Sequence, residues 1–284
     1  MKRRHLGFLN TDRCSELAEA NFDNHVAALD YRNRVFVDKY RGGEFVRSTD
    51  GQCRVHWCRL GDGVFNIVYG ALLAAEDSRL SPKERVADVT ARTADQWHEP
   101  VRWFVSSKDQ PKRLGLLLEA AGWVCDYHWT EMALPLGKAL RSSSQPTIEI
   151  VPVQGEFDRL DWMNVQCAGY DLDHKQARFM DQLSFAFLSQ RRRRFQLFLA
   201  RTDSGDAAAT AAIFKEHGSA GIYMVATHPQ FRRRGIATEL MNHLIGSARD
   251  SGCSKAVLQA SDQACSLYRA LGFVECGRTA IYSR

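Results

Sequence analysis

One stretch constrains the fold of this chain more than any other. Ile222-Tyr223-Met224-Val225-Ala226-Thr227 is apolar enough for a buried strand, and His228-Pro229 ends it. Gln230-Phe231-Arg232-Arg233-Arg234-Gly235 then leads into a segment in which Ile236, Leu240, Met241, Leu244 and Ile245 recur at helical spacing. These apolar residues share one helix face, which has to pack on the sheet that the strand enters. A strand passed through a short loop to such a helix demands layered α/β structure. The loop also has chemical character. A helix start leaves about four amides without intrahelical acceptors and carries the positive end of the helix dipole. Gly235 lets an anion reach that main chain without meeting a side chain. The other basic run, Arg191 to Arg194, has no such glycine and reads as a solvated helix end.

Around this stretch the pattern predicts a strand over 148–153, helices over 157–168 and 177–188, and strands over 195–200 and 208–214. A strand over 255–260, a short helix over 264–271 and a last strand from Phe273 towards Tyr282 follow. The order βααβββαβαβ is α/β, or α+β with a mixed sheet. Upstream, Gly137-Lys138-Ala139-Leu140-Arg141-Ser142-Ser143-Ser144-Gln145-Pro146-Thr147 is polar and serine-rich, and reads as a linker over 137–147. It divides the chain into 1–136 and 148–284, a comfortable size for two domains of about 140 residues. The first half hints at the closing pattern of the second. Val101 to Ser107, Leu114 to Leu118, Gly122-Trp123 and Thr130 to Leu134 run parallel to Ala256 to Ser261, Leu267 to Leu271, Gly272-Phe273 and Thr279 to Ile281. That predicts an internal structural repeat, against the plainer reading of two unrelated α/β domains.

Composition excludes several classes. The 38 basic and 33 acidic residues leave a net charge of +5, too mild to demand nucleic acid, and no aromatic-rich basic patch or helix-turn-helix accompanies the arginines. No run reaches the ~18 apolar residues of a membrane span, and the basic start lacks the apolar stretch of a secretory signal. Eight scattered cysteines suit a reducing compartment, so a cytoplasmic protein without membrane or nucleic-acid partners is expected. Cys53-x4-Cys58 around His56 is at most half a metal site, and no metal is expected.

Arg232-Arg233-Arg234-Gly235-Ile236-Ala237 matches Gln/Arg-x-x-Gly-x-Gly/Ala, and Leu267-Tyr268-Arg269-Ala270-Leu271-Gly272-Phe273 follows about thirty residues on. In these motifs the chain resembles the GNAT superfamily of acyl-CoA-dependent N-acyltransferases. The resemblance covers residues 147–284. In the first half, Phe65 to Gly70 continues into ALLAAEDSRL with no such loop, and no tyrosine precedes Gly122-Trp123 in the matching place. The resemblance therefore implies two GNAT-like domains in tandem, each a twisted mixed sheet flanked by helices, of which the first is degenerate and non-catalytic.

It further implies an acetyl-CoA cosubstrate and an amine-bearing acceptor, attacked directly in a ternary complex. Backbone groups of Val225, Ala226 and Thr227 would pair with the pantetheine arm and polarise the thioester carbonyl. Arg232, Arg233, Arg234, Gly235, Ile236, Ala237 and Thr238 would hold the pyrophosphate, mainly through their amides. Tyr268 would be the proton donor to the departing thiolate, its phenol protonated at neutral pH. Ser261 is a weaker cofactor contact that could instead cap the short helix. Tyr170, Asp171, Asp173, His174 and Tyr223 are candidates for the acceptor side. Cys265, one turn before Tyr268, reads as a packed core residue with no histidine partner nearby in sequence. The competing function is a non-catalytic CoA-binding sensor or protein-interaction module that keeps the phosphate cradle.

Overall fold

The computed structural model describes residues 11–40, 45–47, 53–56, 66–73, 80–96, 101–137, 148–190 and 194–284. In the first half, helix α1 (Thr11–Tyr40) precedes strands β1 (Phe45–Arg47), β2 (Arg54–His56) and β3 (Ile67–Tyr69). Helix α2 (Pro82–Gln96), strand β4 (Arg102–Ser106), helix α3 (Leu114–Ala120) and strand β5 (Val124–Pro135) complete it. The second half opens with β6 (Glu149–Pro152), α4 (Glu156–Tyr170), α5 (His174–Leu188) and β7 (Phe195–Arg201). Strands β8 (Ala207–Glu216) and β9 (Ser219–Thr227) follow, then a 3₁₀ turn (Pro229–Phe231), α6 (Ile236–Asp250), β10 (Lys255–Ala260), α7 (Cys265–Ala270) and β11 (Val274–Ser283). The expected order βααβββαβαβ is the order observed. Helix α5 starts three residues before the predicted Ala177 because Asp173 caps it, accepting from the Gln176 amide at 2.9 Å while Gln176 Oε1 accepts from the Asp173 amide.

The two separate sheets expected of tandem domains are instead one. Eleven strands run in the order β1-β2-β3-β4-β11-β5-β10-β9-β8-β7-β6. The cause lies in the closing strands, which cross between the halves. β5 pairs antiparallel with β10, Met132 opposite Leu258, and β11 pairs antiparallel with β4, Ile281 opposite Phe104. β5 and β11 also pair with each other at the centre. A cut at the predicted linker would divide the chain but not the sheet, and separating the halves would expose edges of β4, β5, β10 and β11. Most of that linker, residues 138–147, lies outside the described residues.

Alternation along β5 assigns the layers. Met132 and Leu134 join Leu240, Met241, Leu244 and Phe273 in the core under α6 and α7, while Ala133 turns to Leu17 of α1. On that second face, Trp162, Phe179 and Leu183 of α4 and α5 pack with Ala28 and Val35 of α1. Helix α1 is registered on the sheet by buried amides. Asn21 Nδ2 donates to the carbonyls of Met132 (2.9 Å) and Leu258 (3.0 Å), and its Oδ1 accepts from Gln259 (2.6 Å). Asn24 bonds Ser219 Oγ at 3.1 Å and accepts from the Tyr223 hydroxyl at 2.8 Å. Buried polar groups must find partners, so sliding α1 along the sheet would cost several of these bonds at once. Arg194 departs from its expected solvated role. It pairs with Glu216 and lies 5.8 Å over the Tyr31 ring of α1, while Arg191 to Arg193 lie outside the described residues.

The closing units of the two halves share their local hydrogen bonding. The Trp123 amide donates to Leu118 and the Phe273 amide to Tyr268, both at 3.0 Å, beside glycines in the left-handed region, Gly122 (φ +84°) and Gly272 (φ +93°). The strand-helix-strand repeat is therefore present in the structure, with Leu118 standing where the second half has Tyr268. Strands β3 and β4 also pair in parallel, as β9 and β10 do. What differs is the loop between strand and helix. Seven residues separate Ser106 from Leu114, against four between Ala260 and Cys265. The longer loop folds back, so that the Gln110 amide donates to Ala71 and its carbonyl accepts from Leu73, both at 2.9 Å.

Candidate active site

Strands β9 and β10 pair only at Ser219/Lys255, Ala220/Ala256 and Gly221/Val257. Beyond that they diverge and open a cleft through the sheet. A register shift against β8 sets Met224 and Val225 of β9 opposite Ala211 alone, a bulge in which Met224 takes a left-handed backbone (φ +54°). That conformation costs roughly 1–2 kcal/mol for an L-residue and needs support. The fully buried Gln166 of α4 supplies it, donating to the Met224 carbonyl (2.7 Å) and to Thr210 Oγ1 (2.6 Å). The Tyr170 hydroxyl donates to the Val225 carbonyl at 2.9 Å. Arg232 donates to the carbonyls of Thr227 (3.2 Å) and Gly169 (2.9 Å), tying the strand end to the end of α4.

The loop then enters α6 through two left-handed residues, Arg233 (φ +67°) and Gly235 (φ +79°), and Gly235 is the N-cap. The amides of Thr238 and Glu239 return to the Gly235 carbonyl at 2.9 and 3.1 Å. Those of Arg233, Arg234, Gly235, Ile236 and Ala237 meet no acceptor among the described residues. A Cβ built on Gly235 would touch nothing within 4 Å, so the space beside Gly235 is open. Converging donors, a helix dipole and an open approach fit a pyrophosphate. Several side chains expected here act otherwise. Arg232 holds backbone, Ile236 is buried in the core, Arg234 lies 5.4 Å over the Phe231 ring, and Thr238 has its amide engaged and only its hydroxyl to offer.

A cavity of about 600 Å³ opens from the cleft. Val225, Ala260, Ser261 and Tyr268 line one part, and Tyr170 and Tyr223 another. Tyr268 is 6% exposed, and burial, reinforced by the nearby Cys265 thiol, pushes its phenol up to about 12. Burial first and the neighbouring Tyr268 second also raise the Tyr170 phenol. Tyr223 is raised by burial and is engaged with Asn24. Ser261 does not cap α7. The N-cap is Ala264 without a side-chain bond, and the Ser261 carbonyl accepts from Ala264, Cys265 and the Cys265 thiol. Three acceptor-side candidates fall outside the cavity wall: Asp171 is the left-handed C-cap of α4, Asp173 caps α5, and His174 is exposed in its first turn.

Residues 159–273 match the model of the Acetyltransferase (GNAT) family. Over these residues the chain is similar to a GNAT acetyltransferase domain. Among solved structures, a GCN5-related N-acetyltransferase from Kribbella flavida is similar over 92% of this chain and 94% of its own, at 18% identity and a TM-score of 0.66. A GCN5-related N-acetyltransferase from Sphaerobacter thermophilus is similar over 86% and 80%, at 18% identity and 0.61. A tandem GNAT protein from the clavulanic acid biosynthesis pathway is similar over 97% and 95%, at 15% identity and 0.60. At such identities the likeness concerns the fold. No curated protein matches the chain by sequence.

The other wall of this cavity comes from the first half, whose lining residues sequence reasoning did not name. His25, Ala28, Leu29 and Arg32 share one face of α1, and Arg102, Phe104, Tyr127 and Trp129 project from β4 and β5. The signal available was Asn21-x-x-Asn24-His25, polar residues at helical spacing in a segment otherwise able to bury a face. Among the described residues no cluster of His, Cys, Asp and Glu is placed to hold a metal, and no helix is long and apolar enough to cross a membrane. Cys53 is buried, and Cys58 lies outside the described residues.

Proposed function

We propose that the protein is an N-acyltransferase that moves an acetyl group from acetyl-CoA to a primary amine, residues 148–284 being catalytic and the first half a degenerate copy that walls the acceptor side. The observation that carries this reading is the parting of β9 from β10 beside Tyr268 at the cavity wall, with the amides of Arg233 to Ala237, which meet no acceptor among the described residues, at the start of the helix that follows β9. Acetyl-CoA would supply the acyl group as a thioester. The amides behind Gly235 would hold its pyrophosphate, and the strand end Val225 to Thr227 would flank its pantetheine arm. Tyr268, its phenol pushed up to about 12, keeps its proton at neutral pH and would hand it to sulfur as the C–S bond breaks and C–N forms.

The acceptor has to arrive as a free amine, and the cavity provides little help in deprotonating it. Burial and Arg32 push His25 down to about 3, too weak a base for an ammonium, and no Asp or Glu is among the described lining residues. The proton therefore leaves through solvent, and kcat/KM rises with pH towards the pKa of the amine itself. Because Tyr268 titrates so high, no falling limb is expected below about pH 11. The test is calorimetric titration with acetyl-CoA, followed by a thiol-release assay over a broad amine panel. One equivalent bound and thiol released with some amines supports the reading. Binding without release from any amine defeats its catalytic form.

A further inference from the structure

We infer that the acceptor carries an anionic group, a carboxylate or phosphate, at the far end of an apolar or aromatic body from its amine, and that Arg102 is the counter-charge that selects it. This rests on the transferase reading above. Alternation on β4 buries Trp103 on one face and turns Arg102 and Phe104 to the other, where they line the cavity. Phe104 meets Trp129 edge-on at 5.3 Å and Tyr127 lies 5.9 Å from Trp129, an aromatic wall suited to a flat or apolar body. The Arg102 hydrogen bond within this wall is a long one, from Nη1 to the Tyr127 hydroxyl at 3.4 Å, and no carboxylate pairs with it among the described residues. Arg32 adds a second guanidinium from α1, and the described lining residues include neither Asp nor Glu.

A cavity whose described lining carries Arg102 and neither Asp nor Glu disfavours polyamines and other polycations and rewards an anion. Arg102 is remote from the pyrophosphate cradle. β4 is four strands from β9 in the sheet, about 19 Å at ordinary strand spacing, so its charge is not needed there. It lies three strands, about 14 Å, from β10, the strand that leads to Tyr268. The arginine side chain covers part of that span, and the acceptor covers the rest. An amine and an anion on one carbon are too close together to do so, whereas a para-substituted arylalkylamine is long enough.

The test compares amines that differ only in the anion: 4-(2-aminoethyl)benzoate against phenethylamine for a carboxylate, and tyramine phosphate against tyramine for a phosphate, with spermidine as the polycation. Thiol release from acetyl-CoA is read as kcat/KM in the wild type, Arg102→Gln and Arg102→Lys. A charged hydrogen bond predicts about a ten- to hundred-fold preference for the anionic member of at least one pair. The pair that shows it tells carboxylate from phosphate. Arg102→Gln should erase the preference, the anionic member falling to the level of its neutral analogue, and Arg102→Lys should retain part of it. Preference for spermidine or the neutral amines, or a preference that survives Arg102→Gln, overturns the inference while leaving the transferase reading intact. No thiol from any amine by a protein that binds acetyl-CoA defeats the transferase reading and this inference together.

Discussion

Strands β3 and β4 begin as β9 and β10 do, with a few parallel pairs, and then the two junctions take opposite courses. Past Gly221 and Val257 the second-half strands separate, and the carbonyls of the bulged strand are met by side chains: Met224 by Gln166, Val225 by Tyr170, Thr227 by Arg232. Past Val68 and Trp103 the gap is filled instead by main chain. Gln110 bonds both Ala71 and Leu73, and Asp109 accepts from the Ser106 amide at 2.7 Å inside the plug. Side-chain partners leave room for a chain to enter between the strands, whereas backbone pairing takes that room. The two junctions thus differ by three loop residues and by Leu118 in the place of Tyr268, while both belong to one sheet.

The contrast breaks most completely at Gly235. Gly235→Asp strains a left-handed position, fills the open approach and sets a carboxylate against the helix dipole. Together these predict an acetyl-CoA affinity lower by more than about a hundred-fold, measured calorimetrically, with the melting temperature nearly unchanged. Retained binding would mean that the α6 amides are not the cradle. Tyr268→Phe should be next in size, lowering kcat about a hundred-fold while acetyl-CoA binds within two-fold of wild type, since only proton donation is removed. A variant with kcat intact would reduce Tyr268 to the packing role that Leu118 has in the other half.

Much of the open junction could be read from sequence because its elements are local. The shift from strand to helix periodicity around Gly235 located the loop into α6, and Gly272-Phe273 located the turn behind Tyr268. The closed junction and the crossing strands are long-range. β5 pairs with a strand more than a hundred residues away, and nothing in Val124 to Pro135 specifies which neighbour it takes. The first-half wall of the cavity was hidden for the same reason, since Arg102 and Phe104 become cavity residues only when β11 has brought β4 alongside. Asp173 also has a local structural role. Asp173-x-x-Gln176 is a capping-box signature, and its role was recoverable from spacing.

Arg232 tests how the open junction stays open. Its guanidinium holds two backbone carbonyls, so Arg232→Gln should weaken acetyl-CoA roughly five-fold, about the worth of one net hydrogen bond, and leave kcat nearly unchanged. If Arg232 instead met the phosphates directly, the loss would be larger and would shrink steeply as salt rises.

The closed junction should have no effect on turnover and a measurable one on stability. Asp109 is 2% exposed, and burial pushes its carboxyl up to about 7, against the pull of the Ser106 amide and with buried Glu131 adding in the same direction. A carboxyl whose folded pKa lies above its unfolded value near 3.8 binds more protons in the folded state between those two values. Its contribution to stability is therefore full below about pH 4, declines as pH rises through the window, and is gone above about pH 7. The shift corresponds to a difference on the order of 4 kcal/mol across the window. Asp109→Asn keeps the acceptor for Ser106 and removes the titration. Urea unfolding at pH 5 and pH 8 should show the variant gaining on wild type at pH 8, while Glu131, raised for the same reason, leaves a smaller slope in both. Acetyl-CoA affinity and kcat should match wild type at every pH. A variant with the full wild-type slope would place the titration elsewhere, and one that loses turnover would show that the closed junction still serves the open one.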